Sequence, residues 1–194
     1  MQKQDVIDFF DSLASVWDER KILDEQVINT ILDNAGVSAG KGILDVACGT
    51  GVLVPWYLER DVASVTCVDI SAEMIRIGKN NHQHPQVSFV LGDAETQTFD
   101  RQFDCVVVFN SFPHFPEPER LISRLASLLA KGGTLTVAHN ISRQQLEKHH
   151  SGSASKVSIN LLPAQELVEI VGRYLTVNVA IDNDEMYQVV GVKV

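Results

Sequence analysis

Two glycines follow an apolar run early in the chain, in the segment ILDVACGTG (residues 43–51). Gly49 and Gly51 occupy the place expected of a loop that binds a nucleotide. Asp45 precedes the first of them by four residues. A carboxylate there repels a phosphate and attracts a cation, so Asp45 bears directly on which ligand the loop binds.

Further polar side chains follow later apolar runs. Asp69 follows SVTCV, Asp93 follows VSFVLG, Asn110 follows DCVVVF, and His139 follows TLTVA. In a doubly wound sheet the ligand binds outside the carboxyl ends of the parallel strands. We therefore expect these side chains to surround a single ligand site.

The alternation of helical and strand patterns supports such a sheet. The periodicity predicts helices over 5–14, 26–35, 52–60, 72–80 and 117–130, and strands over 42–47, 64–68, 87–91, 104–109 and 134–139. Gly132-Gly133 is expected to stop the last of these helices.

The carboxyl-terminal part breaks this alternation. Two runs, 175–182 and 187–194, flank a few turn residues and predict an antiparallel hairpin. We predict an α/β fold with a doubly wound, mostly parallel sheet of seven strands, a C-terminal antiparallel hairpin and N-terminal helices. No segment has the composition of a linker, so we expect one domain over 1–194.

The position of Asp45 favours one ligand class over another. The pyrophosphate of NAD would lie over the glycine loop, where the carboxylate would repel it. S-adenosylmethionine would instead present an ammonium beside a sulfonium, which the carboxylate attracts. Asp69 does not discriminate, because a carboxylate after the second strand binds ribose hydroxyls in both cases. An NAD-binding protein and a non-catalytic protein-binding module of the same architecture remain alternatives.

From about residue 9 to its end, the chain resembles the class I S-adenosylmethionine-dependent methyltransferases of the small-metabolite type. ILDVACGTG is similar to the family's glycine-rich first motif, VDIS (68–71) to the second, and GDAE (92–95) to the third. FDCVVVFNSFPHF (103–115) and LLAKGGTLTVAH (128–139) are similar to the motifs of the fourth and fifth strands. FFDSLASVWDE (9–19) is similar to the amino-terminal segment of members that act in quinone biosynthesis.

The resemblance implies a Rossmann-like fold, S-adenosylmethionine as the cofactor and methyl transfer as the reaction. The cofactor-binding residues that it implies are Asp45, Ala47, Gly49 and Gly51 for the methionine end, Asp69 for the ribose, Ile70, Met74, Asp93 and Ala94 for the adenine, and Asn110 for the region of the sulfonium. For Asp69 and Asp93, the alternative is that each side chain caps a helix or is a solvated loop residue.

Histidines near the same edge are candidate general bases. Methyl transfer from a sulfonium needs a base only if the acceptor atom still holds its proton. We predict His114 and His139 as catalytic candidates, and the pair His149–His150 is a further possibility. The alternatives are that His139 caps a strand and that the pair is solvated. A metal held by these histidines is a less favoured alternative, because no tight ligand spacing is present.

Two segments lie outside the cofactor motifs and are free to recognise the acceptor. They are an N-terminal helical cap over 1–35 and a helix and loop over 140–162. Ser142 and Gln145 form a capping box, which predicts a helix from Arg143. The segment HHSGSASK (149–156) is expected to be a mobile surface loop. Because both segments are short, we expect a small-molecule acceptor.

Composition narrows the choice of partners. The net charge is −9, and the 16 Lys and Arg residues are scattered, which argues against nucleic acid. No apolar run approaches the roughly 20 residues of a membrane-spanning helix. The three cysteines follow the pattern of reduced, buried residues. We expect a cytoplasmic protein that is a monomer or homodimer and has no nucleic-acid or membrane partner.

Overall fold

The structure is a computed structural model that describes residues 1–20, 23–149 and 156–194. The strands are β1 (Gly42–Val46), β2 (Ser64–Asp69), β3 (Val87–Leu91), β4 (Phe103–Phe109), β5 (Leu129–His139), β6 (Thr176–Asp182) and β7 (Tyr187–Val192). The α-helices are α1 (Lys3–Leu13), α2 (Glu25–Asn34), α3 (Val54–Glu59), α4 (Ala72–Asn81), α5 (Pro118–Ser127), α6 (Arg143–His149) and α7 (Ala164–Val171).

The strands form one seven-stranded sheet in the order β3-β2-β1-β4-β5-β7-β6. The pairings from β3 through β5 are parallel, whereas β7 lies antiparallel to both β5 and β6. The predicted α/β fold with its C-terminal hairpin is therefore confirmed. The strand order reverses between β1 and β4, and this reversal opens a crevice at their carboxyl ends.

Burial on both faces explains the unbroken apolar runs of the central strands. Every residue of β1 is buried, and β4 is buried except at Asp104. One apolar cluster contains Leu44, Val106 and the buried face of α5, and the other contains Ile43, Val107 and the buried face of α2. The two clusters hold the central strands rigid, so the loops at the carboxyl ends start from fixed points.

The fifth strand begins earlier than predicted. Helix α5 ends at Ser127, and the helix prediction over 128–130 was wrong because Leu129 pairs with Phe103 in the sheet. The two glycines lie within β5 instead of stopping a helix. A Cβ on Gly133 would lie about 3.0 Å or less from three backbone oxygens, so the close approach of β4 requires a glycine there.

One helix was not predicted. Helix α7 begins directly after Pro163 and buries Leu167 and Val171 against the sheet on the side of β6 and β7. Within the described ranges, no helix combines the length and hydrophobicity needed to cross a bilayer. Of the predicted pair His149–His150, the first ends α6, and the second lies outside the described residues together with most of the predicted loop 149–156.

Candidate functional site

A cavity of about 380 Å³ lies at the carboxyl ends of the parallel strands. Its size is within the range of small-molecule sites. All the predicted site residues except Gly51 line it: Asp45, Ala47, Asp69, Gly49, Ile70, Met74, Asp93, Ala94, Asn110, His114 and His139. The tertiary structure therefore brings together residues from five separate strand ends.

The glycine loop alternates between ordinary and left-handed backbone. Ala47, Gly49 and Gly51 have φ values of 52°, 56° and 83°. A Cβ on Gly49 would lie 3.4 Å from Nε1 of Trp17, so the missing side chain lets the N-terminal segment approach the loop closely. Ala47 adopts the left-handed region although it has a side chain, which is a strained arrangement of the kind found at ligand sites.

Gly51 does not line the cavity, although the resemblance implies a place for it there. A Cβ on this residue would lie 2.9 Å from atoms of both His82 and Phe89. These rings stack on each other with centroids 6.2 Å apart, between α4 and β3. Gly51 therefore allows the loop to pack against the sheet.

Asp45 is 2% exposed, and its Oδ2 has no hydrogen-bond partner among the described residues. Burial raises the pKa of this carboxyl to about 8, the charge of Asp69 contributes in the same direction, and the hydroxyl of Tyr57 opposes both. A buried carboxyl oxygen that lacks a well-formed hydrogen bond is costly to the fold. Its position at the cavity wall supplies a charge that a cationic ligand would satisfy.

Asp69 holds the glycine loop. Its Oδ2 accepts a hydrogen bond from the backbone N–H of Gly49 at 2.8 Å, and its Oδ1 accepts one from the N–H of Ser71 at 2.8 Å. Burial raises the pKa of this carboxyl, and the backbone N–H groups oppose that effect. These two hydrogen bonds tie Asp69 to the glycine loop and to the start of α4, and its contact with a ribose stays a prediction.

Lys3 of α1 reaches the loop after β3, a contact that the sequence does not predict. Its ammonium pairs with Asp93 and, at 3.2 Å, with Glu95. The hydrogen bond to Asp93 is the main reason that the pKa of Lys3 is raised. The other oxygen of Asp93 accepts from the N–H of Glu95 at 2.9 Å. No signal in the sequence pairs residues so far apart.

Two aspartates of the N-terminal segment contact the other cofactor motifs. Asp11 accepts hydrogen bonds from the hydroxyl of Ser71 and from the N–H of Glu73. Asp18 accepts one from the hydroxyl of Thr50 in the glycine loop. Together with Lys3, these contacts hold the N-terminal helices across the cavity mouth.

His114 lies in a 3₁₀ turn after β4, and its ring has a defined orientation. Nδ1 lies 2.7 Å from the carbonyl oxygen of Val157, and the ring of Phe10 meets the imidazole edge-on with centroids 4.8 Å apart. The adjacent N–H of Ile159 donates to the carbonyl of Pro113 at 2.8 Å. Because a carbonyl oxygen only accepts, Nδ1 carries the proton in this arrangement.

The ends of β4 and β5 are joined by a pair of amide side chains. Asn110 donates from Nδ2 to Oδ1 of Asn140 at 2.7 Å, and the N–H of Asn140 donates back to Oδ1 of Asn110 at 3.1 Å. Asn110 has a φ of 52°, so its backbone is also left-handed. His139 beside them is buried, and its ring centroid lies 6.2 Å from that of Tyr187.

A metal centre has no support in the described part of the chain. Within residues 1–20, 23–149 and 156–194, no three His, Cys, Asp or Glu side chains lie close enough together to hold an ion.

The comparisons with known proteins agree with this geometry. Residues 43–133 match the family model of the methyltransferase domain. Over 127 residues the chain is 34% identical to the ubiquinone biosynthesis O-methyltransferase of Coxiella burnetii, a match that covers 64% of this chain and 53% of that protein. The chain spans about half the length of the curated relatives it matches.

Solved structures share the fold at lower identity. The protein bound to the Haloferax volcanii Trm112 methyltransferase activator superimposes with a TM-score of 0.78 and 19% identity, covering 94% of this chain and 96% of that one. The N-methyltransferase NodS of Bradyrhizobium japonicum, in complex with S-adenosylhomocysteine, gives a TM-score of 0.66 and 14% identity over 87% of this chain and 84% of that one.

Proposed function

We propose that this chain, which matches the methyltransferase domain over residues 43–133, is a class I S-adenosylmethionine-dependent methyltransferase that transfers a methyl group from S-adenosylmethionine to a small-molecule acceptor. The proposal rests on the burial of Asp45 at the wall of the cavity. This buried carboxyl lies in the cavity wall, near the hydroxyl of Tyr57, and its Oδ2 is not satisfied by a hydrogen bond of normal geometry within the described residues. A cationic ligand satisfies that oxygen, whereas a pyrophosphate does not.

The residues of the cavity fit the cofactor of this family. Asp45 would face the methionine end, and the left-handed loop at Gly49 leaves room for backbone atoms to approach it. Asp69 and Ile70 would contact the ribose and adenine, and Asp93 would bind the adenine edge. When bound, S-adenosylmethionine supplies a methyl group on a positively charged sulfur.

The described residues would bind the cofactor, orient the acceptor and exclude water from the site. The N-terminal segment covers the cavity through Lys3, Asp11 and Asp18, which limits the access of solvent to the site. Asn110 and Asn140 join the ends of β4 and β5. This junction fixes the wall next to which His114 lies, so the acceptor would meet a rigid surface.

The acceptor is proposed to be a small molecule because the segments available to recognise it are short. The relative from Coxiella burnetii is an O-methyltransferase of ubiquinone biosynthesis. The name of that relative supports an oxygen atom, as in a hydroxyl group, as the methyl acceptor. The comparisons do not favour an NAD-binding protein or a non-catalytic module, and no observation in the described residues favours either one.

Calorimetric titration tests the proposal directly. We expect the protein to bind S-adenosylmethionine and S-adenosylhomocysteine and to show no heat of binding with NAD at the same concentrations. A panel of small hydroxyl, amine and thiol compounds, incubated with methyl-labelled cofactor, then identifies the acceptor. Binding of NAD without binding of the other two ligands would overturn the proposal.

A further inference from the structure

Two buried side-chain oxygens near the glycine loop lack a well-formed hydrogen bond within the described residues. One is Oδ2 of Asp45 in β1, and the other is the hydroxyl oxygen of Tyr57 in α3. Asp45 is 2% exposed, and Tyr57 is wholly buried. A buried hydroxyl or carboxyl without a good partner costs the fold free energy, so each such group calls for an explanation.

The pleat of β1 turns Asp45 toward the side of the sheet on which Tyr57 packs. Ile43 and Asp45 are two residues apart in the strand, so their side chains lie on the same face. Ile43 belongs to the apolar cluster that contains Tyr57, whereas Leu44 belongs to the cluster on the other face. Asp45 lines the cavity and Tyr57 does not. The hydroxyl therefore approaches the carboxyl from the protein interior, and a ligand would approach it from the cavity.

The hydroxyl of Tyr57 has one strong acceptor nearby. In the described ranges, the titratable groups around it are the carboxyl of Asp45 and the thiols of Cys48, Cys67 and Cys105. A thiol sulfur accepts a hydrogen bond only weakly, whereas an ionised carboxylate accepts strongly. Burial raises the pKa of Tyr57 well above its ordinary value, so the hydroxyl keeps its proton and remains a donor.

The surroundings of Asp45 oppose its ionisation when no ligand is bound. Burial and the charge of Asp69 raise the pKa of this carboxyl to about 8, and the Tyr57 hydroxyl acts against both. A cation in the cavity would favour the ionised form by charge attraction. Because the cation contacts the carboxylate only from the cavity, a donor on the interior side is also needed. The Tyr57 hydroxyl lies on that side.

We propose that Tyr57 is a positioning residue for the cofactor, and that its hydroxyl donates to the ionised carboxylate of Asp45 when a cation occupies the cavity. This inference rests on the proposed binding of S-adenosylmethionine. The hydroxyl favours the charged form of Asp45 and fixes the direction of its carboxylate. An apolar side chain of similar size would fill the cluster equally well, but it would leave the carboxylate with the cation as its only partner.

Tyr57→Phe removes the hydroxyl and keeps the ring. Calorimetric titration with S-adenosylmethionine from pH 6 to pH 9 gives the ratio of variant to wild-type affinity, in which titration of the ligand's own ammonium cancels. Without the donor, the pH at which Asp45 ionises should rise by about one unit. The variant should then bind about tenfold more weakly at pH 6 to 7 and only about twofold more weakly at pH 9. Adenosine affinity should be unchanged, and the melting temperature of the ligand-free protein should be unchanged or raised.

Tyr187→Phe is the matched control. Tyr187 is also wholly buried, its hydroxyl also lacks a well-formed hydrogen bond within the described residues, and β4 and β5 separate its strand from β1. This variant should match the wild type at every pH.

A double-mutant cycle shows whether Tyr57 acts through Asp45. In the Asp45→Asn background the carboxyl that the hydroxyl favours in its charged form is absent. Adding Tyr57→Phe to that background should therefore weaken S-adenosylmethionine binding by less than about twofold at any pH.

Four results would overturn the proposal. They are wild-type affinity of Tyr57→Phe at pH 6 to 7, a loss that does not vary with pH, an equal loss in the Asp45→Asn background, and the same pH-dependent loss in Tyr187→Phe. If Tyr57→Phe does not fold, exchange of the Tyr57 hydroxyl proton is followed by NMR in the S-adenosylmethionine complex. Exchange should be slower in the wild type than in Asp45→Asn, and equal exchange would contradict the hydrogen bond. Failure of the proposed function is distinct, because S-adenosylmethionine would then not bind to the wild type.

Discussion

Replacing Asp45 by asparagine removes an ionisable group from the cavity wall and keeps the shape of the side chain. In the ligand-free protein this carboxyl is wholly buried, and its pKa is raised from 3.8 to about 8. Binding of a cation requires the ionised form. We expect Asp45→Asn to weaken S-adenosylmethionine binding by about 1–3 kcal/mol, the range for hydrogen bonds to charged groups. Adenosine lacks the amino-acid end, so its affinity should be unchanged.

The raised pKa makes cofactor affinity depend on pH. Below pH 8 the wild-type protein must release the Asp45 proton when the cation binds, which costs up to about 1.4 kcal/mol per pH unit. We therefore expect the affinity for S-adenosylmethionine to fall by up to about tenfold for each unit by which the pH is lowered between 7.5 and 6. Calorimetry in two buffers with different heats of ionisation counts the released protons. Asp45→Asn should show neither the slope nor the release.

The same group lowers the stability of the ligand-free fold. Since its folded-state pKa exceeds the ordinary value, the folded protein retains a proton that the unfolded chain releases. Its contribution to the free energy of unfolding therefore falls as pH rises from about 3.8 to about 8 and is constant outside that window. Asp45→Asn should unfold at a temperature equal to or above that of the wild type at pH 7.

Two results would refute this reasoning. A parallel loss of adenosine and S-adenosylmethionine affinity would mean that Asp45 shapes the loop and does not bind the cation. A lower melting temperature of Asp45→Asn than of the wild type at pH 7 would also mean that Asp45 stabilises the loop. Because the carboxyl is fully buried, added salt should change the effect little, in contrast to an exposed charge.

Substitutions at Asp69, Gly51 and Lys3 test other contacts around the cavity. Asp69→Ala removes the acceptor of two loop N–H groups, so both the melting temperature and the S-adenosylmethionine affinity should fall, the latter by about 1–3 kcal/mol; unchanged melting would contradict the contact. Gly51→Ala should lower the free energy of unfolding in urea by more than Gly40→Ala, because both glycines have positive φ but only Gly51 would meet Phe89; equal losses would refute the clash. Lys3→Met should change stability by less than about 1 kcal/mol, since its side chain is half exposed, but should speed hydrogen exchange in α1; unchanged exchange would show that the ion pair does not hold the helix.

Much of the fold follows from local sequence patterns. The runs that became β1 and β4 are apolar without alternation because both faces of these strands are covered, and that pattern is readable in the sequence. Helix α4 begins where Ser71 caps it, with its hydroxyl accepting from the N–H of Met74 at 3.1 Å. The rule that ligands bind at the carboxyl ends of strands then predicted where the cavity lies.

Where the patterns failed, packing overrode them. Leu129 continues a helical periodicity, yet it lies in β5 because pairing with Phe103 extends the sheet. The glycine pair in that strand has the sequence signature of a helix stop, but Gly133 is there because the β4 backbone approaches it. Such pairings join residues distant in sequence, and local propensity contains no information about them.

The sequence alone determined which residue types stand at the strand ends, since these positions follow from strand boundaries. It did not distinguish the roles of the two aspartates, because both follow apolar runs. Only the tertiary structure shows that Asp69 accepts a hydrogen bond from the N–H of Gly49 in the loop. It also shows that Oδ2 of Asp45 lacks a well-formed hydrogen bond within the described residues. Contacts such as that of Lys3 with Asp93 depend on where a helix packs after the chain has folded. The three-dimensional arrangement of side chains decides them, and that arrangement arises only when the core excludes water and fixes each element against its neighbours.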